Sequence, residues 1–135
     1  IGSYYLFSLE VNAGAIVLAC IYGLLTTTFI CINNLRDRHT DKEVGKMTLA
    51  TRLPVAAYRF LILQTIFMPY FLALYFYQFR LIYILFLGLF PAMKLTHITL
   101  SREGAELNEG LKFAGIHLII FSGLISLIFV YENLL

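Results

Sequence analysis

Charged residues are scarce in this chain of 135 residues: Lys, Arg, Asp and Glu make up 13%, whereas 60% of the residues are hydrophobic. A soluble globular domain carries about 25% charged residues, and a disordered segment combines low hydrophobicity with high net charge. The composition therefore excludes a disordered segment and disfavours a soluble globule. The formal net charge of +2 is too small to indicate nucleic acid as a partner.

Cysteine is also scarce, and we expect that the first apolar stretch is not a secretory signal. Cys20 and Cys31 lie on one apolar segment, where the helical rise between them is roughly 16 Å, too far for a disulfide. No basic region or cleavage site precedes the first apolar stretch, so it is not a signal peptide. Because the first residue is Ile1 rather than Met, we expect a piece of a longer protein, with residues 1–9 forming a loop or the end of an earlier helix.

The hydrophobic residues are concentrated in four blocks, at about 11–32, 57–77, 81–93 and 113–131. A membrane-spanning helix needs roughly 20 predominantly apolar residues, and the third block reaches that length only if Lys94 extends to the membrane interface. The blocks have no polar stripe, and 135 residues cannot bury four helices that are apolar all round. The sequence therefore predicts an all-α, multi-pass transmembrane helical bundle with about four spanning helices, in contact with membrane lipid.

The basic residues of the connectors predict the orientation of the bundle. The first connector, 33–54, holds five of them, the second holds Arg80 alone, and the third holds Arg102 and Lys112. Basic residues are enriched in cytoplasmic loops. We therefore expect an integral membrane protein whose first and third connectors are cytoplasmic.

The first connector contains the candidate site. A charged residue at the bilayer centre costs about 2.5–3.5 kcal/mol, so its eight charged residues lie outside the membrane core. The uncharged helix before it has no helix breaker near the junction, and we expect it to continue past Ile32. On such a helix Asn33, Asp37 and Asp41 are spaced i, i+4, i+8 and form one polar stripe.

Two carboxylates one turn apart can share a divalent cation, and Mg²⁺ typically binds through one or two carboxylates plus substrate phosphates. Nearby basic side chains can bind phosphate oxygens; they are Arg36, Arg38, Lys46 and Arg52. This combination favours a site for Mg²⁺ and a diphosphate. Two aspartates at this spacing are also typical of a solvated helix face with i, i+4 ion pairs, and the spacing alone leaves that alternative open.

The connector sequence NNLRDRHTDKEVGKMTLATRL resembles the second aspartate-rich motif of the UbiA-type intramembrane prenyltransferases, and within them the branch that prenylates 1,4-dihydroxy-2-naphthoate. The later stretch LNEGLKFAGIHLIIFSGL resembles the last helix of that branch and its lead-in. The family has nine spanning helices, so the resemblance implies that 1–135 is the C-terminal part of the domain, holding helices six to nine. The family's first aspartate-rich motif is absent from this chain, and Pro54 stands where the family usually has Gly.

The resemblance implies transfer of a polyprenyl group from a polyprenyl diphosphate to an aromatic quinone precursor, with 1,4-dihydroxy-2-naphthoate and menaquinone biosynthesis favoured, and Mg²⁺ as cofactor. Asp37 and Asp41 match the metal-binding acids of the motif and are the expected catalytic residues. The residues expected to contact the diphosphate are Asn33, Arg36, Lys46 and Arg52. The N-terminal half of the same enzyme is an implied partner, and we expect the 135 residues alone to be inactive.

Other interpretations of the chain remain open. The acceptor can be another aromatic compound of the same family, such as a benzoate, a homogentisate or a chlorophyll precursor. The chain can also belong to a non-catalytic membrane subunit or a transporter, with the connector serving as a docking surface or a lipid-headgroup patch.

Polar and aromatic residues inside the blocks have two interpretations each. Thr28 and His117 are candidates for a functional site or for hydrogen bonds between helices. Tyr70, Tyr75 and Tyr77 either face a cavity, where their rings stabilise a cation, or belong to the surface in contact with lipid.

Overall fold

The computed structural model describes residues 2–77 and 82–134, and this part of the chain is helical without a β-strand. The α-helices are α1 (Gly2–Ser8), α2 (Ala13–Arg36), α3 (Arg38–Glu43), α4 (Leu49–Arg52), α5 (Val55–Phe76), α6 (Leu89–Ser101) and α7 (Asn108–Leu134). Short 3₁₀ segments, Ile82–Gly88 and Gly104–Leu107, precede α6 and α7. The predicted all-α fold is confirmed, while Arg80 and its connector lie outside the described residues.

Within residues 2–77 and 82–134, four helical segments are long and apolar enough to cross a membrane, as predicted. They are Ala13–Arg36, Val55–Phe76, Ile82–Ser101 and Gly104–Glu132. The start of the first is fixed locally, since Asn12 Oδ1 accepts a hydrogen bond of 2.8 Å from the Ala15 N–H and thus caps α2. Pro54 directly precedes α5 with φ −54°, an angle that its ring imposes. Residues 2–8 form a helix rather than a loop.

The third span differs most from its prediction. The uncharged block ends before Lys94, but the helix continues to Ser101, and Lys94 is exposed at its surface. The first part of this span, Ile82–Gly88, is a 3₁₀ helix, which the hydropathy pattern does not distinguish from an α-helix. Pro91 lies in the first turn of α6, where an absent N–H costs least.

The core of the bundle is formed where α2 packs against α5 and α7. The buried residues of α2 recur every three or four positions, at Val17, Ile21, Leu25, Thr28, Ile32 and Leu35. This spacing places them on one helix face. Thr28 lies within that face, and its hydroxyl donates a hydrogen bond of 2.9 Å to Thr65 Oγ1 of α5. For Thr28, the structure therefore supports the hydrogen bond between helices.

Hydrogen bonds at both ends of the bundle show how the spans alternate in direction. At one end the Tyr77 hydroxyl donates to the carbonyl of Gly14 at 2.6 Å. At the opposite end Arg36 Nη1 donates to Asn108 Oδ1 at 2.8 Å. The first and third connectors therefore lie at the same end, as the charge pattern predicts. Which side of a membrane this end faces remains a prediction.

Tyr70 and His117 form a buried polar pair inside the bundle. The Tyr70 hydroxyl and His117 Nε2 are 2.8 Å apart, and the ring of Phe121 packs edge-on against Tyr70. Both side chains thus serve a contact between α5 and α7. Tyr75, by contrast, is 78% exposed on the outer surface, the position expected of a residue in contact with lipid.

Candidate functional site

The polar stripe begins on the last turn of α2 and continues across a helix break. Asp37 has φ −89° and ψ 5°, so the predicted continuous helix is interrupted between α2 and α3. The helical hydrogen bonds are nevertheless retained: the Asp37 N–H donates to the Asn33 carbonyl at 3.0 Å, and the Asp41 N–H donates to the Asp37 carbonyl at 2.8 Å. The three residues therefore keep their one-turn spacing. Thr40 contributes to the break, since its hydroxyl also donates to the Asp37 carbonyl.

Arg36 links the end of α2 to the start of α7. Its Nε and Nη2 atoms donate to the two carboxylate oxygens of Asp37, at 2.7 and 2.8 Å. Its Nη1 donates to Asn108 Oδ1, at 2.8 Å. Two parallel hydrogen bonds between a guanidinium and a carboxylate fix both groups in one plane. Arg36 and Asp37 thus form a rigid pair that Asn108 holds from the other helix.

The Arg36 pair sets the protonation state of Asp37. The hydrogen bonds from the Arg36 guanidinium lower the pKa of Asp37 below its ordinary value of 3.8. Desolvation opposes this with a smaller rise in the pKa, and the charges of Arg36 and Lys46 lower the pKa further. Asp37 is therefore an anion throughout the neutral range, as a ligand of a cation must be.

Asp41 has a different environment, because it is buried and paired with Lys46. Lys46 Nζ lies 3.1 Å from Asp41 Oδ1 and 3.0 Å from Oδ2. Within the described part of the chain, however, no donor is aligned for a hydrogen bond to Oδ2. The Asp41 side chain is 10% exposed, whereas that of Lys46 is 55% exposed. The buried carboxylate thus depends on one flexible cation and keeps acceptor capacity.

The remaining basic residues of the connector divide into a structural and an exposed group. Arg38 Nε donates to the Ala50 carbonyl at 2.6 Å and its Nη2 donates to the Leu53 carbonyl at 3.1 Å. Arg38, considered above for phosphate binding, therefore holds α3 against α4. Arg52 is exposed at the end of α4, and among residues 2–77 and 82–134 no hydrogen bond or ion pair joins it to either aspartate.

Two grooves lie at this end of the bundle, and each is lined in part by α2 and α7. A polar groove of about 350 Å³ is lined by Arg36, Asp37, His39, Thr40, Gly104, Ala105 and Asn108. An apolar groove of about 370 Å³ is lined by Phe29, Ile30, Asn33 and Leu111. Asn33, Arg36 and Asp37 are thus brought together along one helix edge, whereas Asp41 and Lys46 form a separate pair that lines neither groove.

The two aspartates supply carboxylate oxygens, the type of ligand that Mg²⁺ prefers. No three His, Cys, Asp or Glu side chains in the described ranges come together as a metal cluster. Mg²⁺ does not need such a cluster, because substrate phosphates and water complete its six oxygen ligands. Asp37 and Asp41 supply two carboxylates at one-turn spacing, and Asp41 Oδ2 is buried without an aligned donor in the part of the chain described.

Two ion pairs fasten the third connector to the bundle beside the site. Arg59 of α5 donates to the Arg102 carbonyl at 2.9 Å and lies 3.4 Å from Glu103 Oε1. Arg102 is hydrogen-bonded to Glu109. These contacts position the start of α7, and with it Asn108, relative to α5.

Asn108, His39 and Thr40 line the polar groove although the sequence pattern assigned them no role. Asn108 is separated from Arg36 by 72 positions, so no local periodicity connects the two. The one signal in the sequence is that Asn108 belongs to the LNEGLKF stretch at the lead-in to α7.

The fold and the site together define a polytopic helical membrane protein with an acidic and basic cluster at the end of a spanning helix. The sequence model of the UbiA prenyltransferase family matches residues 1–118 of the chain. The chain therefore belongs to the UbiA prenyltransferase family.

Three relatives are similar to a shorter part of the chain, and all are named 1,4-dihydroxy-2-naphthoate octaprenyltransferase. The relative from Mycobacterium leprae is 43% identical over 53 residues, which are 39% of this chain and 18% of that protein. The relative from Escherichia coli is 46% identical over 52 residues, 38% of this chain and 17% of that protein. The relative from Haemophilus influenzae is 44% identical over 52 residues, with the same coverage of 38% and 17%. The matched segment thus spans less than a fifth of each relative. No solved structure matches the chain significantly.

Proposed function

We propose that this chain is the part of a UbiA-type enzyme that binds the diphosphate of a polyprenyl donor, and that the enzyme transfers the polyprenyl group to 1,4-dihydroxy-2-naphthoate in menaquinone biosynthesis. One observation carries the proposal: Asn33, Asp37 and Asp41 keep one-turn spacing at the end of a spanning helix. Membership of the UbiA family supports the same reaction class.

The two grooves match the two parts of such a donor. Arg36, Asp37 and Asn108 line the polar groove, which suits a diphosphate and its counterion. Phe29, Ile30 and Leu111 line the apolar groove, which suits an isoprenoid chain. A prenyl chain gains little by moving from lipid into an apolar groove, because lipid is equally apolar. The apolar groove therefore orients the chain.

Residues of the first connector contribute to diphosphate binding in different ways. Asp37 and Asp41 are the proposed ligands of Mg²⁺. Bound Mg²⁺ supplies charge neutralisation for the departing diphosphate. Arg36 donates hydrogen bonds to the phosphate oxygens from the polar groove, and Lys46 is proposed to reach them from its position beside Asp41. Asn33 contributes an amide from the apolar groove, and Arg52 adds positive charge at the exposed end of α4.

The reaction requires that the allylic cation meets the aromatic ring before it meets water. The bond between the allylic carbon and the diphosphate oxygen breaks, and its electron pair leaves with the diphosphate. The allylic carbon then bonds to an aromatic ring carbon, which loses a proton or, where it carries a carboxylate, CO₂. Arg36 and Lys46 stabilise the growing negative charge of the leaving group. The surrounding apolar helices exclude water from the cation.

The name of the three relatives is the reason to favour 1,4-dihydroxy-2-naphthoate as acceptor. The remainder of the enzyme is the proposed source of a second acidic motif and of the acceptor pocket. The charge pattern of the connectors supports a site on the cytoplasmic side.

The proposal is tested with the full-length protein in membranes by following transfer of a radiolabelled prenyl group. We expect product with 1,4-dihydroxy-2-naphthoate and at least tenfold less with 4-hydroxybenzoate or homogentisate. Product with another acceptor alone would correct the branch but retain the reaction class. No product with any acceptor, together with a parent sequence lacking another acidic motif, would favour a non-catalytic membrane subunit.

A further inference from the structure

Among the described residues outside the first connector, Asn108 is the one whose side chain is hydrogen-bonded to the Arg36 side chain. It is the first residue of α7, and its amide oxygen accepts the hydrogen bond from Arg36 Nη1 at 2.8 Å. Asn108 also lines the polar groove together with Arg36 and Asp37. The contact therefore joins two spanning helices at the place where the proposed function puts the diphosphate.

A count of N–H groups shows what Arg36 still offers to a ligand. A guanidinium has five N–H donors and no acceptor. Three of the five are used, two toward Asp37 and one toward Asn108. The two that remain belong to Nη1 and Nη2, and Arg36 is part of the groove wall. Arg36 can thus donate to a phosphate oxygen without giving up either protein contact.

The two contacts of Arg36 differ in what they do to the charge of the site. Asp37 neutralises the guanidinium and competes with any anion for it. Asn108 is uncharged, so its oxygen holds the guanidinium without cancelling its positive charge. An amide at this position fixes Arg36 and leaves it attractive to a diphosphate. An aspartate would hold Arg36 at least as firmly but would repel the ligand.

We infer that Asn108 is a positioning residue for diphosphate binding: its amide oxygen orients Arg36 so that the free N–H groups of Arg36 are presented to the polar groove. The inference rests on the proposed function and extends the site to the start of α7. It also assigns a purpose to the Arg59 and Arg102 ion pairs, which fix the segment that carries Asn108.

The test measures binding of inorganic diphosphate to the full-length protein with Mg²⁺ by isothermal titration calorimetry, and KM and kcat for the polyprenyl diphosphate. We expect Asn108→Ala to weaken diphosphate binding and to raise the KM for the donor about tenfold, the usual effect of losing a hydrogen bond to a charged group. The KM for the acceptor should not change. Asn108→Asp should also weaken binding, although it preserves an acceptor oxygen for Arg36.

A double-mutant cycle separates positioning from direct contact or general destabilisation. Because Asn108 acts through Arg36, adding Asn108→Ala to Arg36→Ala should cause no further loss. The matched control is Glu106→Ala, which removes an exposed side chain two positions earlier and should leave binding and both KM values unchanged.

The outcomes distinguish this inference from the proposed function. If wild-type protein binds diphosphate and transfers a prenyl group, but Asn108→Ala matches wild type, the inference is wrong and the function stands. A full effect of Asn108→Ala in the Arg36→Ala background would also overturn it, because Asn108 would then act without Arg36. If wild-type protein neither binds diphosphate nor transfers a prenyl group, the proposed function fails and the inference fails with it.

Discussion

The backbone N–H of Asp41 donates a hydrogen bond of 2.8 Å to the carbonyl oxygen of Asp37, across the break between α2 and α3. This contact keeps the two carboxylates one turn apart, about 5–6 Å between Cβ atoms on a regular helix, although the helix itself ends at Arg36. The break separates their surroundings: Asp37 is paired with Arg36 in the polar groove, whereas Asp41 is buried beside Lys46. Two carboxylates of one motif are thus held by two different cations.

Removal of Lys46 should destabilise the protein more than removal of a neighbouring lysine. Lys46→Met leaves the buried Asp41 carboxylate without its cation, and we expect a loss of about 1–3 kcal/mol. Lys42→Met, at an exposed position on α3, should change stability by less than about 0.5 kcal/mol. The measurement is unfolding in detergent without divalent cations.

The ion pair of Asp41 and Lys46 also predicts that a second substitution restores the lost stability. Asp41→Asn combined with Lys46→Met should recover most of the stability lost by Lys46→Met alone, since a neutral amide does not need the cation. Equal losses for Lys46→Met and Lys42→Met would show that the ion pair contributes nothing to the fold.

Gly88 should not tolerate a larger side chain, because a Cβ atom there would lie 2.8 Å from the Tyr70 hydroxyl oxygen. Tyr70 is buried and paired with His117, so it has little room to move. We expect Gly88→Ala to cost about 1–3 kcal/mol through overpacking. Gly23→Ala is the control, since nothing lies within 4 Å of its Cβ position and helical alanine is favoured over glycine. Thermal unfolding of both variants measures the contrast.

Removing the Tyr70 hydroxyl tests whether it causes the destabilisation by Gly88→Ala. In a Tyr70→Phe background, which removes the clashing oxygen, Gly88→Ala should cost less than it does in the wild type. An unchanged cost would mean that another contact of the 3₁₀ segment is responsible.

The lowered pKa of Asp37 gives a pH dependence with a defined sign. Because the folded pKa lies below the ordinary value of 3.8, the stabilising contribution of the Asp37 carboxylate is present above that value. It is lost only as the pH falls through the lower, folded pKa. The difference in free energy of unfolding between wild type and Asp37→Asn should therefore be constant from pH 5 to pH 8, at about 0.2–1 kcal/mol for this partly exposed pair. Disappearance of this difference between pH 7 and pH 5 would contradict the assigned ionisation.

The spans could be predicted from sequence because lipid requires long apolar helices. In the part of the chain that the structure describes, four of them are found where the hydropathy pattern places them. The ends of the spans were less predictable from the sequence. The third block stops at Lys94 in a hydropathy reading, whereas the helix continues to Ser101 with the Lys94 side chain exposed. A long lysine can reach the interface from within a span, so charge alone does not mark the helix end.

The spacing of neighbouring residues in the candidate site could be predicted from the sequence, but contacts between distant segments could not. The spacing of Asn33, Asp37 and Asp41 follows from helical periodicity, and the structure retains it. The bond between Arg36 and Asn108 depends on the packing of α2 against α7, which local sequence does not encode. Arg38 illustrates the reverse case, since its charge suggested phosphate binding but its donors are bonded to backbone carbonyls of the connector.

The most direct test of the central claim is prenyl transfer by the full-length protein carrying Asp37→Asn or Asp41→Asn. Each substitution preserves the shape of the side chain but removes the charge that would hold Mg²⁺ and the diphosphate. We expect each to lower kcat/KM for the polyprenyl diphosphate by about 100-fold or more. Glu43→Gln, at an exposed acid of the same connector, should remain within about twofold of wild type. Activity of either aspartate variant within that same range would contradict the account.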